Sequence, residues 1–248
     1  MKSYFKLKSF FIKDMCVLFL LAYCQISYGQ TKLICYGDKI PNGWVKTGES
    51  KCFNCCIPSK NRHEITYIEK LPAGSQVSIC SGSYRPGGWV KYNEISCGSC
   101  CGYNIVKEGI RKIEGLASGK EEYVCQGQNI PKGWVILSHR ECNGCCGYSL
   151  PQMLIKNANG LPAGTELDVC SSSPIPTGWF KVGERDCGGC CGYSVPRHII
   201  KKLDGMPKGT EVLLCNNFVP NGWKYFGELN CNDCCGRWTF KKYKMKKL

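Results

Sequence analysis

Short segments in which apolar and polar residues alternate recur along the chain. "SQVSIC", "TELDVC" and "TEVLLC" alternate with period two and end at Cys80, Cys170 and Cys215. This alternation is typical of half-buried β-strands. A second apolar segment begins at a tryptophan ("GWVK", "GWVI", "GWFK"), and a third follows, as in "EITYIEK" (64–70) and "HIIKKL" (198–203). The pattern predicts short strands joined by turns.

These segments belong to one unit that is repeated five times. Its first cysteine recurs every 45 residues, a Pro-x-Gly-Trp element follows, and a C-x-x-C-C cluster comes next. Proline fixes φ and glycine accepts positive φ, so Pro-x-Gly predicts a tight turn. The last copy is one residue shorter between Cys215 and Trp223. The predicted organisation is a signal peptide (1–29), repeats over 30–70, 71–115, 116–160, 161–205 and 206–236, and a basic tail (237–248).

The segments that join the repeats indicate how the units are connected. "HIIKKLDGMPKGTEVLLC" resembles a strand, a turn and a strand, so we expect the last strand of one repeat to pair with the first strand of the next. Linkers rich in Gly and Ser or in Pro are missing from the sequence. The predicted fold class is all-β, with small disulfide-rich tandem repeats stacked as an elongated array. The first and last repeats are irregular ("CCIP" and "CCGRW" against "CCGY"), as capping units of a solenoid are.

The cysteines predict covalent staples, because a unit of this size rarely holds together by its hydrophobic core alone. Four cysteines allow three pairings. Bonding adjacent cysteines closes a strained ring, and bonding within C-x-x-C is associated with reducible disulfides. We therefore expect Cys170–Cys190 with Cys187–Cys191, and a bridge to a neighbouring repeat stays open. The predicted disulfide cysteines are Cys35, Cys52, Cys55, Cys56, Cys80, Cys97, Cys100, Cys101, Cys125, Cys142, Cys145, Cys146, Cys170, Cys187, Cys190, Cys191, Cys215, Cys231, Cys234 and Cys235.

Cysteines in this pattern could also bind zinc or form a redox-active dithiol. A Cys₄ zinc site would rank first in a cytosolic chain, but an oxidising compartment favours disulfides. A redox-active dithiol of the thioredoxin type needs C-x-x-C at the start of a helix, whereas here the motif lies between strand-like segments and recurs five times. We therefore expect no metal and no cofactor.

The first 29 residues have the features of a secretory signal. A lysine-rich start precedes the apolar "MCVLFLLAYC", and Ser27 and Gly29 occupy the positions that a signal peptidase inspects. The apolar run is about half the ~20 residues of a membrane-spanning helix. Cleavage near Gly29 would remove Cys16 and Cys24, leaving only the repeat cysteines. The prediction is a secreted or cell-surface protein with no transmembrane segment.

Three groups of residues are candidates for binding. The net charge is +14, and the basic tail has no acidic residue, so it is suited to an anionic surface, although a solvated, frayed terminus is the alternative. The tryptophans either stack on sugars or pack within the repeats, and the "CCGY" tyrosines suit a half-exposed binding face. The residues are Trp44, Trp89, Trp134, Trp179 and Trp223; Tyr103, Tyr148 and Tyr193; and Arg237, Lys241, Lys242, Lys244, Lys246 and Lys247.

Charged residues at repeated positions give no support for catalysis. A glutamate recurs three residues before the second cysteine, and we expect it to form a surface pair with a nearby lysine, Lys46, Lys91 or Lys181. His63 and His198 are equivalent, but other copies carry Glu or Met there, which a catalytic or metal-binding histidine would not tolerate. Motifs of hydrolases, nucleotide-binding proteins and metalloproteases are missing from the sequence. We predict that the protein is not an enzyme.

The two-cysteine frame, the "IPxGW" turn and the "GLPxGT" lead-in over 31–236 resemble short repeats of secreted proteins of Bacteroidetes-type bacteria. That resemblance implies secretion and no settled activity, and the doubled cysteine departs from the simpler repeats. The predicted function is multivalent binding to an extracellular polysaccharide or an anionic cell surface, without a specific nucleic-acid partner. A purely structural spacer or envelope protein, and a cationic antimicrobial or inhibitory effector, are the alternatives.

Overall fold

The computed structural model describes residues 30–52, 56, 61–147, 150–192, 195–232, 234–236 and 240–248. The predicted signal peptide (1–29) lies outside these residues. Every regular element in the described part of the chain is a β-strand. The strands are β1 (Thr31–Cys35), β2 (Trp44–Lys51), β3 (Asn61–Tyr67), β4 (Gln76–Cys80), β5 (Trp89–Cys101), β6 (Asn104–Lys112), β7 (Glu121–Cys125), β8 (Trp134–Arg140), β9 (Gln152–Asn157), β10 (Glu166–Cys170), β11 (Trp179–Arg185), β12 (Arg197–Lys202), β13 (Glu211–Leu214), β14 (Trp223–Asn230) and β15 (Lys241–Lys247).

The strands form five antiparallel sheets of three consecutive strands each, here called sheets 1 to 5. In every sheet the third strand of the repeat lies between the first and the second, as in the order β10-β12-β11. The prediction of an all-β fold with five small disulfide-rich units is confirmed. Each second strand also carries a register shift, for example between Lys181 and Gly183, which is typical of a β-bulge and increases the local twist.

The predicted hairpins between successive repeats are wrong. β12 pairs with β10 and β11 of its own sheet, while β13 pairs with β15. The segment from Leu203 to Thr210 carries the chain to the next sheet without pairing the two flanking strands. Period-two alternation identifies a strand but not its partner. Because the last strand inserts between its two predecessors, both of its edges are already hydrogen-bonded.

The predicted basic tail is a strand of the last repeat. β15 is the central strand of sheet 5, between β13 and β14. Met245 is fully buried against the preceding sheet, whereas the neighbouring Lys244 and Lys246 lie on the opposite face of the strand. This segment is therefore not a frayed terminus, and the fifth structural unit extends beyond residue 236. Arg237, counted with the tail, lies outside the described residues.

The Pro-x-Gly-Trp turns have the predicted form. In all five, the tryptophan N–H donates to the carbonyl of the proline three residues earlier, at 3.0–3.3 Å. The glycine before each tryptophan has φ between 76° and 84°, which favours glycine because a Cβ is strained there. In sheet 4 the turn at Gly178 delivers Trp179 into the first residue of β11.

The hydrophobic cores lie between successive sheets and not within any one of them. Between sheets 3 and 4, for example, Val135 and Ala158 pack with Val169, Trp179 and Ile200 of the next sheet. The other three interfaces use equivalent positions. Burying a large apolar side chain contributes about 1.5–3 kcal/mol. Since every core needs residues from two sheets, the units stabilise each other as the repeats of a solenoid do.

Hydrogen bonds connect the second strands of sheets 2, 3 and 4 to the first-cysteine region of the next sheet. Between sheets 2 and 3, Gln128 accepts from the Lys91 N–H at 2.9 Å and donates to the Lys91 carbonyl at 2.8 Å. Ser173 Oγ accepts from the Ile136 N–H at 2.8 Å in the next interface. In the last interface, where the repeat is shorter, the Cys215 N–H donates to the equivalent carbonyl of Lys181 at 2.9 Å. Gln128, Ser173 and the Cys215 N–H thus bond to the backbone of the same position in the second strand.

Candidate functional site

The disulfides join the first cysteine of a repeat to the fourth, and the second to the third. In sheet 4 the bonds are Cys170–Cys191 and Cys187–Cys190, with Cα atoms 5.4 and 5.6 Å apart. The predicted pairs Cys170–Cys190 and Cys187–Cys191 are therefore wrong. The other described bonds follow the same scheme: Cys35–Cys56, Cys80–Cys101, Cys97–Cys100, Cys125–Cys146, Cys142–Cys145, Cys215–Cys235 and Cys231–Cys234. Cys52 is disulfide-bonded, and Cys55 lies outside the described residues.

In sheet 4, positive φ at Gly188 and Gly189, 55° and 99°, folds the C-x-x-C segment back on itself, so that Cys187 lies beside Cys190. Cys191 is bonded to Cys170 in the core, and Cys190 is half-buried beside it. Gly144 of "CNGC" also has positive φ, whereas the outer bond Cys231–Cys234 of sheet 5 encloses no glycine. Glycine is therefore a sequence signal for this pairing in some repeats only.

The two bonds of a repeat differ in burial and in the loop they close. We call the first-to-fourth bond the inner disulfide and the second-to-third bond the outer disulfide. In sheet 4 the inner cysteines Cys170 and Cys191 are 0% and 2% exposed and belong to a core, while Cys187 and Cys190 are half-buried. An inner bond spans 20 or 21 residues and an outer bond only 3. In the chain-entropy view they contribute roughly 3 and 2 kcal/mol.

Sulfur atoms of the two bonds lie close together. In sheet 3 the Sγ atoms of Cys142, Cys145 and Cys146 lie within 4.8 Å of one another, and sheet 4 has the equivalent group. Zinc takes thiolate ligands, whereas these sulfurs are held in disulfides, Cys142 with Cys145 and Cys146 with Cys125. These groups could hold a soft metal only after reduction.

Most of the repeated tryptophans are part of the cores. Trp89, Trp134, Trp179 and Trp223 are 4–5% exposed. A buried ring has no face to offer a polymer, so the stacking hypothesis is not supported for these four, and packing explains them. Trp44 of sheet 1 is half-buried, with Lys32 Nζ 4.4 Å from its ring centroid.

The tyrosines of the "CCGY" segments can be placed only in part. Tyr103 follows the cysteine cluster of sheet 2 and is fully exposed. Tyr148 and Tyr193 lie outside the described residues. The exposed ring of Tyr103 is compatible with contact to a ligand.

The predicted pairs of glutamate and lysine are present. Lys46 and Glu49 are 2.6 Å apart, and Lys181 pairs with Glu184; Lys91 and Glu94 form the equivalent pair. They lie at the junction of two sheets and not on the open surface, because Lys181 Nζ also donates to the Cys235 carbonyl of sheet 5 at 3.0 Å. Their side chains are 10–22% exposed. These pairs therefore help to join the sheets.

Histidines accompany two of these pairs. His198 Nε2 lies 3.3 Å from Glu184 Oε2 and His63 Nε2 lies 3.7 Å from Glu49 Oε2. Burial lowers the pKa of His198 below its ordinary value; the charge of Lys181 lowers the pKa further, and Glu184 opposes both. Each imidazole lies beside a glutamate that is already paired with a lysine. The histidine is therefore a supporting contact at the sheet junction.

A groove of about 600 Å³ runs between sheets 4 and 5. We call it the lysine groove and define it by Val182, Ile199, Leu213, Phe226, Lys242 and Lys244; Val212, Lys201 and the carboxylates of Glu166 and Glu211 complete its lining. The first four side chains make its apolar surface, and Phe226 is 44% exposed. Lys242 and Lys244 form no ion pair with any other described residue. Sequence reasoning missed this groove because its apolar residues come from four strands of two sheets.

The other lysines near this groove have acidic partners. Lys201 pairs with Glu166 at 2.9 Å, and Lys246 pairs with Glu211 at 3.0 Å. Both are cross-strand pairs at equivalent positions, and Lys156–Glu121 in sheet 3 is a third. Lys241, also counted with the basic tail, pairs with Glu228 at 2.6 Å. The uncompensated positive charge of the groove is thus confined to Lys242 and Lys244, which suits an anionic ligand with an apolar face.

Comparisons with known proteins give no relative: no family model, curated protein or solved structure matches the chain. Among the described residues no helix is long and apolar enough to cross a membrane. The disulfides are typical of proteins outside the reducing cytosol.

Proposed function

We propose that this is a secreted, non-enzymatic repeat protein that binds an anionic extracellular polymer, such as an acidic polysaccharide or the anionic coat of a cell. The observation that supports this best is the lysine groove. Its two unpaired ammonium groups, on Lys242 and Lys244, stand beside the exposed ring of Phe226. Carboxylate or sulfate groups would pair with the lysines, while the apolar faces of sugar rings would lie against the apolar side of the groove.

The repeat architecture supports a multivalent form of this binding. The five sheets share one strand order along the array, so a long polymer would meet weak contacts on other sheets besides the lysine groove. Linked weak sites raise the apparent affinity without any single strong contact. The exposed Tyr103 of sheet 2 is the further contact that we assign to a polymer lying along the array.

A structural spacer is the second candidate, and the cores favour it. Trp134 and Trp179, at successive interfaces, are both 4% exposed, so the array is continuously packed between neighbouring sheets. A protein whose only role is to hold a distance needs this rigidity and no ligand. The two candidates differ in whether the lysine groove is used.

The experiment measures retention on an immobilised acidic polysaccharide, with neutral dextran as the reference matrix. The double variant Lys242→Gln/Lys244→Gln removes the unpaired charges of the groove. The matched control Lys120→Gln/Lys132→Gln removes the same charge from two exposed lysines that lie outside the strands of the third repeat. We expect about a ten-fold loss of affinity for the groove variant, which corresponds to about 1.4 kcal/mol, and less than two-fold for the control.

Two results would contradict the proposal. Equal losses in both variants would show that net charge acts without a site. Absence of retention of the unmodified protein at low salt would leave the spacer as the supported function. Truncation at residue 236 is unsuitable for this test, because it removes β15, the central strand of sheet 5.

A further inference from the structure

The outer disulfides form a set of equivalent groups, one for each repeat in which both cysteines are described. Each joins cysteines three residues apart, and each cysteine is half-buried. The inner disulfides of sheets 2 to 4 are instead 0–3% exposed. The outer bonds are Cys97–Cys100, Cys142–Cys145, Cys187–Cys190 and Cys231–Cys234. In sheets 2 to 4 the outer bond is therefore the more accessible of the two, whereas in sheets 1 and 5 one inner cysteine, Cys35 or Cys215, is half-buried as well.

Little else in the fold depends on an outer bond. The residues enclosed by Cys187 and Cys190 are exposed, and a Cβ built on Gly188 or Gly189 would meet no atom within 4 Å. The neighbouring Cys191 remains tied to Cys170 when the outer bond opens. The loop is also held by the His139 N–H, which donates to the Cys190 carbonyl at 2.6 Å. Cys187 and Cys190 also pack against the edge of the inter-sheet core, so the inner bond and this hydrogen bond are what hold the repeat when the outer bond opens.

We infer that the outer disulfides are sites of thiol–disulfide exchange with a dithiol partner, while the inner disulfides are permanent staples. C-x-x-C pairs are the usual form of exchangeable disulfides, and buried structural disulfides resist reduction. The juxtaposition of an accessible C-x-x-C bond with a buried bond in the same repeat carries this inference. It is independent of the polymer-binding proposal.

In sheet 4 the exchange proceeds in two steps. A thiolate of the partner attacks one sulfur of Cys187–Cys190, the S–S bond breaks, and its electron pair leaves on the other sulfur, which takes a proton from water. The second thiolate of the partner then attacks the mixed disulfide and releases the remaining cysteine as a thiol. The partner ends as a disulfide, and the repeat gains two electrons and two protons.

Direct exchange between Cys190 and Cys191 is disfavoured, although their Sγ atoms are 3.7 Å apart. An attack of Cys190 on Cys191 would bond adjacent residues, in a small ring that a planar trans peptide closes only with distortion. An attack of Cys187 on Cys191, whose Sγ atoms lie within 4.8 Å of each other, would form Cys187–Cys191 and release Cys170 as a thiol. Peptide mapping after reoxidation distinguishes that pairing from the original one.

The test is graded reduction of the intact protein with dithiothreitol, followed by rapid alkylation and peptide mapping. We expect Cys142, Cys145, Cys187 and Cys190 to be alkylated at least ten-fold faster than Cys170 and Cys191, with an unchanged circular dichroism spectrum and tryptophan fluorescence. Simultaneous reduction of both classes, or loss of the fold when the outer bonds open, would overturn the inference. So would outer bonds that resist dithiothreitol as long as the inner ones.

Variants that lack one disulfide test whether the rapid alkylation belongs to the outer bond of a single repeat. In Cys187→Ser/Cys190→Ser, we expect a folded array that lacks one rapidly alkylated pair, while the outer pairs of the other repeats react as before. The matched variant Cys170→Ser/Cys191→Ser should keep the rapid pair and lower the unfolding temperature. If the first variant fails to fold, the inference is wrong, because the outer bond would then be a staple; the kinetics of the unmodified protein decide the same point without any variant.

Discussion

Sheets 3 and 4 have the same strand order and the same inner and outer disulfides, yet they fill one junction with different chemistry. In sheet 4 the junction with the next sheet contains Lys181, Glu184 and His198. Glu184 Oε2 accepts from Lys181 Nζ and lies 3.3 Å from His198 Nε2. The lysine also donates to the Cys235 carbonyl of sheet 5. This junction is polar and satisfied by charged hydrogen bonds.

Sheet 3 has Ile136, His139 and Met153 at the three equivalent positions. Ile136 and Met153 are 5% and 4% exposed and belong to an inter-sheet core. The His139 N–H donates to the Cys190 carbonyl of the next sheet. All three residues differ together from those of sheet 4. Sheet 3 thus has two apolar side chains in place of Lys181 and His198, and one polar side chain, His139, whose buried Nε2 has no hydrogen-bond partner among the described residues. A buried ion pair and an apolar replacement of similar volume are often close in stability, so the repeat determines where these side chains lie and not their polarity.

The largest expected effect comes from removing one member of the charged set. Lys181→Ala should lower the free energy of unfolding by about 1–2 kcal/mol, because Glu184 and the Cys235 carbonyl lose their donor in a partly buried site. The triple variant Lys181→Ile/Glu184→His/His198→Met transfers the sheet 3 set and should stay within about 1 kcal/mol of the unmodified protein. Urea denaturation measures both. A triple variant that is less stable than Lys181→Ala would show that the two sets are not interchangeable.

The titration of His198 gives a finer test of the charged set. Since Lys181 lowers the pKa of His198 and Glu184 raises it, Lys181→Met should raise that pKa in an NMR titration. Burial lowers the pKa of His139 without a charged contributor, so His139 should not change and serves as the internal control. An unchanged His198 would show that Lys181 does not act on it.

The direction of the pH effect on stability follows from the same shifts. The pKa of His198 in the folded protein is below the ordinary value of 6.5, so the unfolded chain binds the proton more readily. The stabilising effect of a neutral His198 is therefore complete above pH 6.5 and is lost as the pH falls through the folded pKa. Because Lys181→Met brings the two pKa values closer together, the loss of stability on acidification should be smaller in that variant.

Strands and repeats could be predicted because their signals lie in consecutive residues. Alternation identified β10, and the regular spacing of the first cysteine identified the five units. Pairing between strands could not be predicted in this way, since the residues of β12 do not indicate which strands pair with its two edges. The lysines around Tyr243 and Met245 concealed the alternation of a central strand. Local pattern thus determines the elements, whereas their partners depend on packing.

The candidate site was less accessible to prediction than the fold. The lysine groove combines Val182 and Ile199 of sheet 4 with Leu213 and Phe226 of sheet 5, and no spacing rule brings these residues together. The disulfide pairing depended on whether the C-x-x-C segment could fold back on itself. Glycine indicated this only in some repeats, such as Gly188 and Gly189 of sheet 4, because the outer bond of sheet 5 forms without a glycine between Cys231 and Cys234.

The smallest expected effect compares the cysteine loops themselves. Ser99 has φ of 52°, and the equivalent Gly144 and Gly189 have φ of 76° and 99°. A left-handed conformation costs a non-glycine residue about 1–2 kcal/mol, while glycine loses about 0.5–1 kcal/mol more chain entropy on folding. Ser99→Gly should therefore raise the free energy of unfolding by about 0.5 kcal/mol, and Gly144→Ser should lower it by a similar amount, both measured by urea denaturation. The opposite sign in either variant would mean that Ser99 makes a contact that offsets its backbone strain, and the loops of sheets 2 and 3 would then not be equivalent.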